Sequence, residues 1–121
     1  MYSAKVLDHF QRPRHSGTVA EPDASVQLEN PVCGDVLKLT LRVSGGQIAE
    51  IRFLAKGCVA TMACGSALAE LAMGMSVEKA RQLSCEDLVD MVVSLPPASK
   101  HASHLALDAL HAALDQLEDK R

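Results

Sequence analysis

The chain is short of aromatic residues: it has no tryptophan, one tyrosine and two phenylalanines, 2% in all. A core without large anchors relies on Leu, Val, Ala and Met, which favours close contacts between helices. Positive charge is also scarce. Twelve Lys and Arg against 15 Asp and Glu leave a formal net charge of -3, and no basic stripe with interleaved aromatics occurs. That excludes a protein built to grip a phosphate backbone, so nucleic acid is not an expected partner. The longest apolar run, residues 59–75, is broken by Thr61, Ser66, Glu70 and Gly74, so it is not a membrane span. Residues 1–9 lack the apolar stretch of a signal peptide. A cytoplasmic protein with no membrane partner is expected. There is no phosphate-cradling glycine loop, nucleophile elbow or HExxH helix, and a free-standing enzyme is therefore not expected.

What remains is a chain of 121 residues with 48% apolar composition, which predicts one domain spanning residues 1–121. Ser3 is placed to cap a short helix through Phe10, with Val6, Leu7 and Phe10 on one side, and Pro13 stops it. Residues 14–23 follow neither helical nor strand period and read as a connector lying over a sheet. Residues 25–29 alternate as a first strand. Residues 36–43 form the clearest strand, with Leu37, Leu39, Leu41 and Val43 on one face and Lys38, Thr40 and Arg42 on a solvated face. Ser44-Gly45-Gly46-Gln47 signals a hairpin, returning through residues 48–55 with Ile51, Phe53 and Ala55 inward. A helical composition then runs from Cys58 to about Met73, with Gly74 as its stop. Ser76 and Ser84 are placed to cap two short helices, the second through a capping box with Asp87. Leu95-Pro96-Pro97 breaks the pattern, and residues 98–117 form a long amphipathic helix with Leu105, Ala109, Ala112 and Leu117 inward.

The chemistry is concentrated in a few places. In Cys33-Gly34-Asp35, a thiol and a carboxylate flank a glycine that lets the backbone bend, so both side chains can converge on one ion. Alone, the pair is more often a half-buried cysteine beside a turn aspartate. Antiparallel pairing brings the entrance of the 36–43 strand and the exit of its hairpin partner to one end of the sheet, and with them Cys33 and Cys58. Cys58 opens a helix, at the positive end of its dipole, a place that suits a metal-binding thiol. The four cysteines, Cys33, Cys58, Cys64 and Cys85, read in a reducing compartment as ligands, nucleophiles or core. Six positions beyond Cys58, Cys64 is rotated away and reads as core; Cys85, in a first helical turn, reads as an uninvolved surface thiol. His101 and His104 are spaced i, i+3 on one helix face, continued by Asp108 and His111, a row that is either solvated or ligating.

Taken in register, Tyr2-Ser3-x-Lys5-Val6-x-Asp8-His9, Pro13-Arg14, Cys33-Gly34-Asp35, Gly57-Cys58 and Leu95-Pro96-Pro97 with His101 cover nearly the whole chain. This set resembles the iron-sulfur cluster assembly scaffolds IscU, SufU and the N-terminal domain of NifU. The resemblance implies an α+β fold of the SufE/NifU-like kind, a small three-stranded antiparallel sheet backed by helices. It also implies the metal ligands Cys33, Asp35, Cys58 and His101, with Cys33 and Cys58 as sulfur-accepting candidates. The chain departs from the family pattern at Ala102, where a third cysteine would follow His101. His104, one turn beyond His101, is a candidate extra ligand. The segment Leu95-Pro96-Pro97-Ala98-Ser99-Lys100 also departs from the Leu-Pro-Pro-Val-Lys that the IscU branch offers a DnaK-type chaperone.

The function implied is a scaffold or carrier. It receives sulfur from a cysteine desulfurase, holds a transient [2Fe-2S] cluster and passes it to recipient apo-proteins, with a DnaK-type chaperone as a further partner through Leu95-Pro96-Pro97. Two alternatives stay open. One is a zinc-binding accessory protein for sulfur transfer, because zinc accepts mixed S, N and O ligands. The other is a paralogue that keeps only a protein-binding surface because Ala102 replaces the third cysteine.

Overall fold

The computed structural model describes residues 4–30, 34–91 and 101–119. Three strands, β1 (Ala24–Glu29), β2 (Val36–Ser44) and β3 (Gln47–Lys56), form an antiparallel sheet in that order. Among the described residues there are five helices: α1 (Ala4–Gln11), α2 (Val59–Ala72), α3 (Val77–Arg81), α4 (Cys85–Met91) and α5 (His101–Asp119). Helices α2 and α5 lie against each other and against the sheet, α2 on β3 and α5 on β1 and β2, while α1 packs on α2. This is the α+β arrangement expected. Ser3 and Leu95-Pro96-Pro97, given roles above, lie outside the described residues.

The sheet follows from the alternation of its sequence. Leu37, Leu39 and Leu41 are fully buried on the helix-facing side. At the tip, Gly45 and Gly46 both take positive φ, 60° and 78°, as a two-residue turn matched to strand twist requires. The register slips between Arg42 and Val43, which leaves Ala49 as an extra residue on β3. This bulge switches the parity of the strand, so Ile48 joins Ile51 and Phe53 in the core. Ala55, expected inward, is only half-buried.

The opposite face is not simply solvated. The connector crosses it: Val19 is 2% exposed and its N–H donates to Thr40 Oγ1 at 2.9 Å, so Thr40 is buried as well. The connector also pairs with the free edge of β3, through Gly17 N to Phe53 O at 2.8 Å and Phe53 N to His15 O at 3.0 Å. Such pairing covers an edge that would otherwise invite association. Ser16 and Phe53 form the corresponding parallel bridge.

Small residues set the spacing between layers. Gly65 of α2 sits so near the sheet that an added Cβ would meet Phe53 Cδ2 at 2.7 Å and Leu37 Cδ1 at 3.2 Å. On α5 the buried row is Ala102, Ala106, Ala109, Leu110, Ala113 and Leu114, whereas Ala112 is half-buried. Ser76 caps α3 by accepting from Lys79 N, and Ser84 and Asp87 exchange the two hydrogen bonds of a capping box on α4.

Helix α1 buries Val6 and His9 rather than Leu7, which is 40% exposed. His9 Nδ1 lies 2.8 Å from Ser66 Oγ, which also accepts from Arg14 N at 2.7 Å. Ser66 thus joins His9 to the Arg14 backbone, and His9 Nε2 faces Glu70 at 3.7 Å. Arg14 closes the cluster by pairing with Asp8 and Glu70. The Asp8-His9 and Pro13-Arg14 segments thus form a polar latch between α1 and α2.

Two stability predictions follow from these contacts. Gly65→Ala gains about 1 kcal/mol of helix propensity but forces a methyl into Phe53, at about 1–3 kcal/mol. A net loss is expected, read as a lower denaturant midpoint; an unchanged or higher midpoint would show that α2 can lift from the sheet without cost. The second concerns His9, whose imidazole burial holds below the ordinary 6.5, helped by Arg14 and opposed by Glu70. The unfolded chain then binds the proton more readily, so this group's stability contribution is complete above about pH 6.5 and is lost as pH falls through the lowered folded value. His9→Gln should flatten the pH dependence of the midpoint between about pH 5 and 7; a slope equal to the parent's would place the proton uptake elsewhere.

Candidate metal centre

The antiparallel register decides which residues meet. Val36 pairs with Lys56, so Asp35, just before β2, and Gly57-Cys58, just after β3, lie at one end of the sheet. The turn into β2 is pinned by Asn30 N to Asp35 O at 2.8 Å and Gly34 N to Asn30 O at 2.7 Å, with Gly34 at φ 76°. Here the glycine permits the bend, as its position between thiol and carboxylate suggested.

Asp35 is 3% exposed, and its carboxylate is the hub of the site. Oδ1 accepts from Cys58 N at 3.2 Å, and Oδ2 accepts from Thr61 Oγ1 at 2.7 Å and from Cys58 Sγ at 3.4 Å. Cys58 is the N-cap residue of α2, but its own side chain makes no capping bond. A carboxylate from another part of the chain takes that task, where the positive end of the helix favours negative charge. His101, on α5, places Nε2 3.2 Å from Asp35 Oδ2. One ligand atom from each of Asp35, Cys58 and His101 lies within 4.8 Å of the other two. Together the three offer one imidazole nitrogen, one sulfur and one carboxylate oxygen, a mixed donor set that zinc and iron accept.

Two supporting residues carry the geometry. Gly57 has φ 144°, and a Cβ there would lie 2.0 Å from Asp35 Oδ1. Only glycine lets the carboxylate come this close to the start of α2. Thr61, which read in the sequence only as a break in an apolar run, bonds Asp35 and lies 3.3 Å from Cys58 Sγ. The signal that finds it is a hydroxyl at the third helical position, three residues after the cap.

The other expected residues fall as follows. Cys33 lies outside the described residues. His104 is exposed and is not among the three grouped ligands; its Nδ1 is 3.3 Å from Cys85 Sγ. Cys64 is fully buried, and burial, with the negative charges of Cys58 and Cys85 adding to it, pushes its thiol up to about 12. It is a protonated core residue. Ala102 is 1% exposed, so the position where the family pattern has its third cysteine is packed into the core here. A cavity of about 260 Å³ beside the centre is lined by Glu29, Asn30, His101, His104, Leu105 and Asp108. Among the described residues, no helix is long and apolar enough to cross a membrane.

Comparison with known proteins bears on the family and the fold. A family model described as the NifU-like N terminal domain matches residues 1–121. The chain is 36% identical over 124 residues to the iron-sulfur cluster assembly scaffold protein IscU of Escherichia coli K12, covering 99% of this chain and 96% of that protein. It is 43% identical over 116 residues to the bifunctional protein NifU/MnmA of Rubrobacter xylanophilus, of which it spans only 24%. In fold it matches the N-terminal part of a nitrogen-fixing NifU-like protein from Brucella abortus, with a TM-score of 0.81 at 18% identity over 98% of this chain and 94% of that one.

The geometry makes Gly57 the most sensitive non-ligand position. Gly57→Ala should weaken binding of cobalt(II), followed by its visible absorption, by about tenfold or more, the range for supporting residues around a metal site. Cys58→Ser should abolish the sulfur-to-metal band. Full retention in Gly57→Ala would show that Asp35 is free to withdraw and still ligate.

Proposed function

The chain belongs to the NifU-like N-terminal domain family, and from that premise we propose that it assembles iron-sulfur clusters as a scaffold, with the cluster as cargo. The observation that carries this reading is the convergence of Asp35, Cys58 and His101 at the sheet end, their ligand atoms within 4.8 Å of one another. Cys33, two residues before Asp35 in the sequence, is proposed as the fourth ligand. Thiolate and imidazole suit iron, while a carboxylate is a harder and more easily displaced ligand. A site with one weak ligand holds a cluster that can leave, which is what a scaffold requires.

In this reading Cys33 and Cys58 accept sulfur from a cysteine desulfurase, and recipient apo-proteins take the finished [2Fe-2S] cluster. The role of a DnaK-type chaperone at Leu95-Pro96-Pro97 belongs to the same proposal. The protein supplies ligands and a docking frame, and the sulfur chemistry starts on the desulfurase. The same donors also suit zinc in tetrahedral geometry, so the decisive measurement separates the two metals.

Anaerobically purified protein should contain iron and acid-labile sulfide in equal amounts, with visible absorption that disappears in Cys58→Ser. Zinc without sulfide, in a protein that stays colourless when iron and sulfide are supplied, would overturn the scaffold reading in favour of a zinc-binding accessory role. Asp35→Ala should slow cluster transfer to an apo-ferredoxin, followed spectroscopically on both proteins. Faster transfer than the parent would show that Asp35 retains the cargo rather than releasing it.

A further inference from the structure

A second sulfur-bearing pair stands outside the group formed by Asp35, Cys58 and His101. Cys85, in the first turn of α4, places Sγ 3.3 Å from Nδ1 of His104 on α5. The two residues come from different helices, 19 positions apart, so the pairing is a product of tertiary packing. Cys85 is half-buried and His104 is exposed. The thiol is thus shielded on one side and reachable on the other, with an imidazole at hydrogen-bond distance to take its proton.

Its position relative to the centre is specific. His104 lies one turn beyond His101, and both line the cavity of about 260 Å³ beside the centre. The position after His101 is Ala102, packed in the core. Of the three described cysteines, Cys64 is buried and Cys58 is bound up with Asp35 and Thr61. Cys85 is the described thiol left with a base beside it and no part in the metal centre.

We propose that Cys85, with His104 as its base, is a sulfur-accepting thiol that takes a sulfane sulfur from a persulfide. This rests on the scaffold reading only for the choice of donor. In the transfer, Nδ1 of His104 takes the Cys85 proton and the thiolate attacks the outer sulfur of the donor R–S–SH. The donor S–S bond breaks as the new bond to Cys85 Sγ forms, and its electron pair leaves on R–S⁻. That thiolate takes the proton back from His104. The products are Cys85–S–SH and R–SH, with no net oxidation. Sulfur loaded here sits on α4, against His104 of the helix that also carries His101.

The test uses the full chain and cysteine persulfide as donor, with peptide mass mapping over time. Cys85 should gain one sulfur atom well ahead of Cys64. His104→Asn, an exposed substitution, should slow loading of Cys85 by about tenfold or more while loading of Cys58 in the same sample stays at the parent rate, which controls for folding. Cys85→Ser should lower cluster formation when the persulfide is the sole sulfur source and leave it unchanged with free sulfide. An unmodified Cys85, equal loading in His104→Asn, or full persulfide-driven assembly in Cys85→Ser would each overturn the assignment. A parent that loads Cys85 yet builds no cluster from iron and free sulfide would support the thiol's role while sinking the scaffold reading.

Discussion

The buried carboxylate of Asp35, set against the N-terminus of α2, is the contact on which the layout of this protein turns. A charge 3% exposed is costly unless it is bonded, and here Cys58 N–H and the Thr61 hydroxyl bond it at 3.2 and 2.7 Å. The same carboxylate meets His101 of α5 at 3.2 Å. One side chain thus joins the entry of β2, the start of α2 and the start of α5. An ion held there would compete for the contacts that Asp35 makes with Cys58 Sγ and His101, whereas the bond from Cys58 N–H goes to the other carboxylate oxygen. Folding and metal chemistry therefore share a group.

That arrangement depends on close approach, and close approach depends on small residues. Gly57 clears the space for Asp35, and Gly65 lets α2 lie directly on Phe53 and Leu37. The alanine row of α5 brings that helix against α2 and the sheet. With three aromatic residues in the chain, density is reached by bringing backbones together rather than by filling gaps with rings. A tightly seated α2 and α5 in turn fix Cys58 and His101, which is what a preorganised ligand set needs. The latch of His9, Ser66, Arg14 and Glu70 holds the outer side of α2 to α1, remote from the metal centre.

Much of this was legible along the chain. Alternation in residues 36–43 and the Gly45-Gly46 turn predicted the hairpin, and the Ser76 and Ser84 caps marked the short helices where they occur. What misled was local reading of single faces. Thr40 looked solvated because alternation says nothing about a connector folding back over it. Ile48 joined the core through a bulge at Ala49, and a shift of register by one residue leaves no mark in composition. Cys85 read as a surface thiol because its partner lies 19 residues away on another helix.

By itself, then, the sequence determined the periodicities, the turns, the caps and the set of residue types able to bind a soft metal, because each of these depends on neighbours within a few positions. Antiparallel pairing predicted Cys33 and Cys58 at one end of the sheet; Cys33 lies outside the described residues, and Asp35 is the residue that meets Cys58 there. Only the tertiary structure decided that Asp35 caps α2 in place of Cys58, that Thr61 holds both, that Ala102 faces the core and that His104 meets Cys85. Those relations depend on how far apart the layers settle and how each helix is rotated. Both are fixed by packing summed over the whole core, which no local stretch of sequence encodes.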